Sequence, residues 1–219
     1  MDSDYENIQP LTKLKWLNKH NGAAQICYKL QQEIMDEFEG PLTAVIMGSA
    51  YGGELEALGK LWKGRGTVYG MDVFQDLHPE HLAVDGSSDE ARCMDHWYRP
   101  EIYGTNEIHI DYQRGVLDEA GLDNVILIKG EVNKHSCDEI AHIHYALMDM
   151  DMIVSMKNGY SALKDKIVKG GYLALHDVLP EPHLGGYIYG WWYNEVLAEG
   201  GWRVVNEYPN SHLGIYKKL

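Results

Sequence analysis

The sequence predicts an α/β domain built on a mostly parallel sheet, and three observations support this fold class. Short apolar runs alternate with amphipathic stretches along most of the 219 residues. A glycine-rich turn follows the first of these runs, and an aspartate closes the second. Polar residues directly follow four of the runs. Such strand–helix alternation requires parallel strands joined by right-handed crossovers.

The first strand–helix–strand unit lies in Thr43 to Phe74, TAVIMGSAYGGELEALGKLWKGRGTVYGMDVF. We predict a strand at Ala44–Met47, a helix at Glu54–Leu61 and a second strand at Thr67–Met71. The glycines permit a tight turn close to a ligand, and the N–H groups at the helix N-terminus are expected to be free for a negative group. Asp72 stands where a carboxylate commonly accepts hydrogen bonds from ribose hydroxyls.

The remaining chain continues the alternation. Further strands are predicted at Val125–Lys129, His144–Met148, Tyr172–Leu175, Trp202–Asn206 and His212–Lys217. Helices are predicted at Ala23–Phe38, Ile108–Ala120, Ser136–Ile140, Ser155–Val168 and Ile188–Ala198. We expect the VILIK run at Val125–Lys129 to be buried on both faces of the sheet. Gly170 and Gly171 are expected to cap the preceding helix.

These elements suggest an N-terminal helical segment, residues 1–41, followed by an α/β domain, residues 42–219. The helical segment is expected to cover the sheet; closure over a site or dimerisation are the alternatives. Residues 75–103 contain Pro, Gly and Ser-Ser without a sustained period. A connection of this length is either a lid or substrate-binding insertion, or a solvated loop.

Composition narrows the choice of partners. A net charge of −14 and a pI near 5.1 argue against a nucleic-acid backbone or an anionic membrane as the main partner. No apolar run is long enough to span a bilayer, and the N-terminus lacks a signal-peptide pattern. The three cysteines, Cys27, Cys93 and Cys137, are widely spaced, which favours reduced thiols and a cytoplasmic location. We therefore expect a small-molecule partner, and self-association into a homo-oligomer remains open.

Four strand ends carry polar groups: Asp72, Gly130-Glu131, Asp149 with Asp151, and His176-Asp177. In an open parallel sheet these ends meet at the carboxyl edge, where ligands bind. The oxygen-rich set suits a hard divalent cation such as Mg²⁺. The alternative is that these aspartates only cap the helices that follow them.

With these residues in order, the chain resembles a class I S-adenosylmethionine-dependent methyltransferase, a Rossmann-like fold with sheet order 3-2-1-4-5-7-6. The segment from Leu147 to Val178, LMDMDMIVSMKNGYSALKDKIVKGGYLALHDV, is similar to the macrocin O-methyltransferase-like group. That group includes mycinamicin- and novobiocin-type sugar O-methyltransferases and cephalosporin-hydroxylase-like proteins. Its pattern is I-D-G-D-x-x-Y, a helix ending in G-G, and a strand ending in an acidic pair or H-D.

The resemblance implies S-adenosylmethionine as cofactor. Its methionine part would lie over the glycine turn, its ribose against Asp72, and its adenine beside Gly130 and Glu131. The implied cofactor-binding residues are Gly48, Ser49, Gly52, Asp72, Gly130 and Glu131.

The resemblance also implies a catalytic centre after the fourth and fifth strands. Asp149 would be the first metal ligand, and His176 with Asp177 would complete the metal site. Asp151 would be the general base, so Asp149 and Asp151 are the implied catalytic pair. Mg²⁺ would assist transfer of a methyl group to a sugar hydroxyl or vicinal diol. Because His176 replaces a carboxylate, a site without metal is also open.

Three departures from the pattern support two alternatives. Ile46 stands where many relatives carry an acidic residue, Met150 replaces a glycine, and Met152 falls where some relatives have a histidine. A degenerate Rossmann-like binding or assembly module without catalysis would tolerate all three. A NAD-dependent oxidoreductase would use Asp72 and the glycine turn equally well, although the turn is not G-x-G-x-x-G.

Other side chains have simpler interpretations. The aromatic run Tyr187–Tyr193 is a candidate acceptor wall, although Trp191 and Trp192 suit the core equally well. His142 and His144 are expected at the core or rim, since no third ligand has metal-site spacing. Lys217 and Lys218 are expected to form a solvated tail.

Overall fold

The computed structural model describes residues 12–15, 22–74, 106–178 and 187–219, and every structural statement below refers to these residues. The predicted insertion at 75–103, which includes Cys93, lies outside them. Cys27 and Cys137 are free and buried. No helix in the described ranges is long and apolar enough to cross a membrane.

The described residues form a seven-stranded sheet of order β3-β2-β1-β4-β5-β7-β6, which confirms the predicted fold class and strand order. The strands are β1 Leu42–Met47, β2 Gly66–Asp72, β3 Val125–Lys129, β4 Ile143–Met148, β5 Ile167–His176, β6 Trp202–Tyr208 and β7 Leu213–Lys218. The first five strands run parallel, and β7 pairs antiparallel with both β5 and β6. Strand β7 therefore lies between β5 and β6 and is antiparallel to both.

The helices lie on both faces of this sheet. They are α1 Ala23–Glu37, α2 Gly53–Leu61, α3 Ile110–Glu119, α4 Ile153–Leu163 and α5 Tyr187–Trp191, which continues as a π-helical turn over Trp192–Val196. Two short 3₁₀ turns occupy Asn106–Ile108 and Pro209–Ser211. The predicted helix at Ile188–Ala198 is therefore divided between an α-helical and a π-helical part.

Two apolar layers stabilise the sheet, one on each face. Ala44 and Ile46 of β1 face the layer formed with α1, α2 and α3, whereas Val45 and Met47 face the layer formed with α4 and α5. Successive side chains of a strand point to opposite faces, so a central strand must be apolar at every position. This arrangement explains the continuous apolar run in β1.

The helix predicted at Ser155–Val168 is too long. It ends at Leu163, and Ile167 already pairs with Ile143 as the first residue of β5. Gly170 and Gly171 consequently lie inside the strand and cap no helix. A Cβ on Gly171 would lie 3.2 Å from the His144 carbonyl oxygen, so this glycine permits close approach of the neighbouring strand.

The surroundings of β3 also differ from the prediction. Residues 134–139 form turns, so the predicted helix at Ser136–Ile140 is absent. Strand β3 lies at the sheet edge, where Ile126 and Ile128 are each 38% exposed. The expectation that VILIK is buried on both faces is therefore wrong, because the described residues cover only the Val125 and Leu127 side.

Two expectations for the C-terminal region concern the tryptophan pair Trp191 and Trp192 and the lysine Lys217. Trp191 and Trp192 are 7% and 0% exposed and pack in the second apolar layer, so they belong to the core. Lys217 is not a solvated tail residue. Its Nζ lies 2.7 Å from Glu37 Oε2 and 2.7 Å from the Tyr172 hydroxyl, which ties the end of α1 to β5 and β7.

Candidate active site

The predicted strand ends meet at the carboxyl edge of the sheet. Backbone hydrogen bonds continue past the last strand residues: Gly48 N–H donates to Met71 O, and Asp149 N–H donates to Met47 O, each at 2.9 Å. Gly130 N–H donates to Asp72 O at 3.0 Å. The strand order places Asp72 and Gly130 on one side of the glycine turn and Asp149 on the other.

Asp149, His176 and Asp177 form a compact cluster after β4 and β5. Their potential ligand atoms all lie within 4.8 Å of one another. His176 Nδ1 is 3.2 Å from Asp149 Oδ1 and 3.0 Å from Asp177 Oδ1, and the imidazole is 8% exposed. Neither ring nitrogen makes a well-aligned hydrogen bond among the described residues, so attraction between charges dominates these contacts. The structure thus brings together the three residues predicted as metal ligands.

The two carboxylates control the protonation of His176. Burial alone would lower the pKa of the imidazole, but the charges of Asp149 and Asp177 raise it well above its usual range. Burial likewise opposes ionisation of Asp177, but His176 lowers the pKa of that carboxyl. A positively charged imidazolium between two carboxylates is therefore the favoured state of the chain itself.

Asp151 lies beside this cluster, and its hydrogen bond also helps to lower the pKa of Asp177. Asp151 and Asp177 have φ angles of 58° and 56°, in the left-handed region that non-glycine residues rarely adopt. Such conformations cost about 1–3 kcal/mol each and persist where the surrounding structure imposes them. Two of them beside one carboxylate–imidazole cluster are typical of a functional site.

The glycine turn is shaped by contacts within the chain. A Cβ on Gly48, at φ +84°, would lie 1.8 Å from the Asp149 carbonyl oxygen. A Cβ on Gly52, at φ +76°, would lie 2.5 Å from Gln113 Oε1. Both glycines are therefore required by packing, independently of any ligand.

Asp72 holds the same turn in place. Its carboxylate accepts hydrogen bonds from the backbone N–H of Ala50 at 2.8 Å and of Phe74 at 3.0 Å. The residue is 7% exposed, and its pKa is raised by burial despite these bonds. A carboxylate oxygen can accept a second hydrogen bond, so the predicted ribose contact stays a prediction.

The N-terminus of α2 differs from the expectation of free donors. Gly53 N–H donates to the Lys15 carbonyl at 2.9 Å. The short segment 12–15 is held there because Glu56 Oε2 accepts the N–H groups of Lys13 and Leu14 at 2.9 and 2.8 Å. The first donor of α2 is thus bonded to the chain itself and is not available to a negative ligand.

Glu54 was not recognised as a site residue from the sequence. Its Oε1 accepts hydrogen bonds from Gln31 Nε2 at 2.7 Å and from the Tyr145 hydroxyl at 3.2 Å. Burial raises the pKa of its carboxyl to about 7, and the charge of Asp149 contributes in the same direction. An acidic residue in a first helical turn is common because it complements the helix dipole, so the sequence contained no distinguishing signal.

A cavity of about 420 Å³ opens beside the ends of β2 and β3. Met71, Ile128, Gly130 and Glu131 are among its lining residues. A larger depression of about 610 Å³ lies around Arg65 at the opposite, amino edge of the sheet, away from the polar strand ends. The smaller cavity is thus the one at the carboxyl edge, where it is lined by Met71, the residue before Asp72, and by Gly130 and Glu131.

Comparison with known proteins gives structural matches only. The sequence matches no known protein family and no curated protein. The O-methyltransferase NovP is similar in structure, with a TM-score of 0.66, 15% identity, and coverage of 88% of this chain and 79% of NovP. The calicheamicin methyltransferase CalS11 gives a TM-score of 0.65, 15% identity, and coverage of 91% and 80%.

An rRNA methylase from Streptococcus thermophilus is also similar, with a TM-score of 0.53, 14% identity, and coverage of 89% of this chain and 95% of the methylase. At these identities the likeness establishes the fold alone. The chain has the class I methyltransferase fold, which confirms the fold that the resemblance implied.

Proposed function

We propose that this chain is an S-adenosylmethionine-dependent O-methyltransferase acting on a hydroxyl of a small molecule, namely a sugar or another vicinal diol. The observation that carries the proposal is the cluster of Asp149, His176 and Asp177, with Asp151 beside it, at the carboxyl edge of this particular sheet. CalS11 is described as a TDP-rhamnose 3′-O-methyltransferase, which supports a sugar hydroxyl as the acceptor.

The residues after β3 fit the adenine part of the proposed cofactor. The 420 Å³ cavity falls within the size range of small-molecule sites and is lined by Gly130 and Glu131, which would flank an adenine. A Cβ on Gly130 would meet no atom within 4 Å, so the approach to this residue is open. When bound, the cofactor supplies a methyl group on a positively charged sulfur, ready for displacement.

The chain contributes alignment and a proton acceptor. Methyl transfer is an in-line displacement, so holding the hydroxyl oxygen against the methyl carbon supplies most of the acceleration. With the cofactor bound, the carbon–oxygen bond would form as the carbon–sulfur bond breaks, and the electron pair of the broken bond would stay on sulfur. Asp151 takes the hydroxyl proton in this proposal: it is partly exposed, and the step requires that the proton it shares with Asp177 is first released.

In this proposal Mg²⁺ assists the reaction but is not required for it. Asp149, His176 and Asp177 have the number and spacing of donors needed for a divalent cation. One donor is an imidazole nitrogen, however, and Mg²⁺ prefers oxygen ligands. The fold also raises the pKa of His176, so a metal must displace its proton. A bound Mg²⁺ would lower the pKa of a coordinated acceptor hydroxyl.

The first experiment is titration calorimetry with S-adenosylmethionine, S-adenosylhomocysteine and NADH, with and without Mg²⁺. We expect micromolar binding of the two adenosyl compounds and none of NADH. Binding of NADH alone would favour an oxidoreductase, and binding of none of the three would favour a non-catalytic module. Either result overturns the proposal.

Transfer of a labelled methyl group to a panel of sugars and catechols then tests the chemistry. We expect Asp151→Asn to lower the rate about 100-fold or more with little change in cofactor affinity. The exposed Asp165→Asn is the matched control and should retain the wild-type rate. Equal rates for the two variants would remove Asp151 as the base.

We also propose a cytoplasmic protein that acts on a free small molecule. The widely spaced cysteines support the location, and the net charge of −14 supports the small-molecule partner, because it disfavours nucleic acid and anionic membranes. The same argument disfavours rRNA as a substrate of this chain, although an rRNA methylase is similar to it in fold.

A further inference from the structure

Glu54 lies at the junction of three elements near the glycine turn. It is in the first turn of α2, and its carboxylate contacts Gln31 of α1 and Tyr145 of β4 through Oε1. Among the described residues no hydrogen bond reaches Oε2, and the side chain is partly exposed. Glu54 therefore offers an acceptor from a position that is otherwise largely enclosed by protein.

The surroundings of Glu54 contain more acceptors than donors. The Gln31 amide that donates to Glu54 is 0% exposed, and its Oε1 is buried without a hydrogen-bond partner among the described residues. The charge of Asp149 also acts on the Glu54 carboxylate, with a smaller opposite effect from His176. Unpaired buried acceptors cost free energy, and a group rich in N–H donors removes that cost.

A negative group is poorly suited to this place. The Gly53 N–H, which an anion would use, already donates to the Lys15 carbonyl. The electrostatic environment is acidic on the α2 side and at Asp149. The N-terminus of α2 is consequently better suited to a cation than to the negative group expected from the sequence.

Other candidates for cation binding near the turn are excluded by their contacts. Ile46, at the position where many relatives carry an acidic residue, is an apolar core residue that is 1% exposed. Glu56 is 0% exposed and bonds to Lys13, Leu14 and Lys60. Glu54 is therefore the acidic residue of α2 that remains available.

From these contacts we infer that Glu54 binds the ammonium group of the methionine part of S-adenosylmethionine, with the Gln31 amide positioning its carboxylate. The inference rests on the proposed function and adds a specificity-determining residue to it. A charged ammonium provides three donors for the acceptor-rich surroundings of Glu54. A carboxyl with a pKa raised by burial gains an opposite charge when this ligand binds.

The test compares two ligands that differ only in this ammonium group: S-adenosylhomocysteine and its analogue without the α-amino group. Calorimetry on the wild type is expected to show tighter binding of the amino compound. In Glu54→Gln, affinity for S-adenosylhomocysteine should fall about 10- to 100-fold, the range for a charge-assisted hydrogen bond. Affinity for the deaminated analogue should stay within about twofold of the wild-type value.

Matched controls keep this experiment interpretable. Gln is isosteric with Glu and retains bonds to Tyr145 and Gln31, and thermal unfolding confirms that the variant is folded. The exposed Glu139→Gln should leave both affinities unchanged. If Glu54→Gln weakens both ligands equally, or neither, the role of Glu54 is overturned while the proposed function stands. If the wild type binds neither ligand, the proposed function fails first.

Discussion

Gly48 shows how one residue couples the first and fourth strands. Its backbone turns at φ +84° directly against the carbonyl oxygen of Asp149, the first residue of the carboxylate–imidazole cluster. The position of Asp149 therefore depends on the absence of a side chain at residue 48. This dependence gives Gly48 a structural role, whether or not it also contacts the proposed cofactor.

Gly48→Ala is expected to lower the free energy of unfolding by about 3 kcal/mol or more, because the new Cβ overlaps a backbone atom and the left-handed φ is strained. Gly64→Ala is the control, since it has a similar φ of +77° but meets no atom within 4 Å. It should cost only about 1–2 kcal/mol. Urea unfolding measures both values, and equal losses would show that the contact with Asp149 is unimportant.

The raised pKa of Glu54 predicts a pH-dependent stability. Its carboxyl pKa moves from 4.5 to about 7 on folding, so the fold favours the protonated form. The associated stability is present below about pH 4.5 and is lost as pH rises through 7. Gln31, Tyr145, Asp149 and His176 are the groups that act on this carboxylate.

Glu54→Gln should therefore be more stable than the wild type at pH 8.5, by about 1–2 kcal/mol after allowance for partial exposure. The difference should shrink towards zero at pH 5. Unfolding experiments at the two pH values measure it. A constant difference between them would show that Glu54 titrates normally in the folded protein.

At the scale of elements, the short segment 12–15 is attached to α2 by a single buried side chain. Glu56 accepts two backbone N–H groups from this segment and pairs with Lys60, while Lys15 caps Gly53. The segment therefore closes the start of α2. Its attachment depends on Glu56 more than on its own sequence, since only Leu14 of its four residues is buried.

Glu56→Ala should destabilise the protein by about 2–3 kcal/mol, because it leaves two N–H groups without their acceptor. Glu119→Ala, which removes an exposed ion pair with Lys13, should cost less than about 1 kcal/mol. Chemical unfolding of the two variants gives the comparison. A loss for Glu56→Ala no larger than for Glu119→Ala would contradict the anchoring role.

The local hydrophobic pattern was sufficient to predict most helices and strands, but not the residues at which they begin and end. The apolar runs of β1 to β4 coincide closely with the observed strands, because their burial depends mainly on local hydrophobicity. Gly170 and Gly171 misled the prediction, since a glycine pair after a helical pattern and a glycine pair in a strand look alike in sequence. Pairing of Ile167 with Ile143, 24 residues earlier, decided between them.

At the scale of the whole molecule, the sheet order explains where the candidate site lies. Parallel strands direct their carboxyl ends to one edge, so Asp72, Asp149 and His176 meet there although they are far apart in the chain. Helices on both faces bury the central strands. The general position of the site could therefore be predicted once the strand ends were recognised.

The order of apolar runs, and the polar residues that close them, are sufficient to predict the fold and the edge that carries Asp149, His176 and Asp177. Periodicity is a local property, and the topology of parallel sheets has few solutions. Contacts between distant residues are different, because they depend on how packed elements meet. Only the tertiary structure shows that the Gly53 N–H bonds to Lys15, that Asp72 Oδ2 bonds to the glycine turn, and that Glu54 lies at the site.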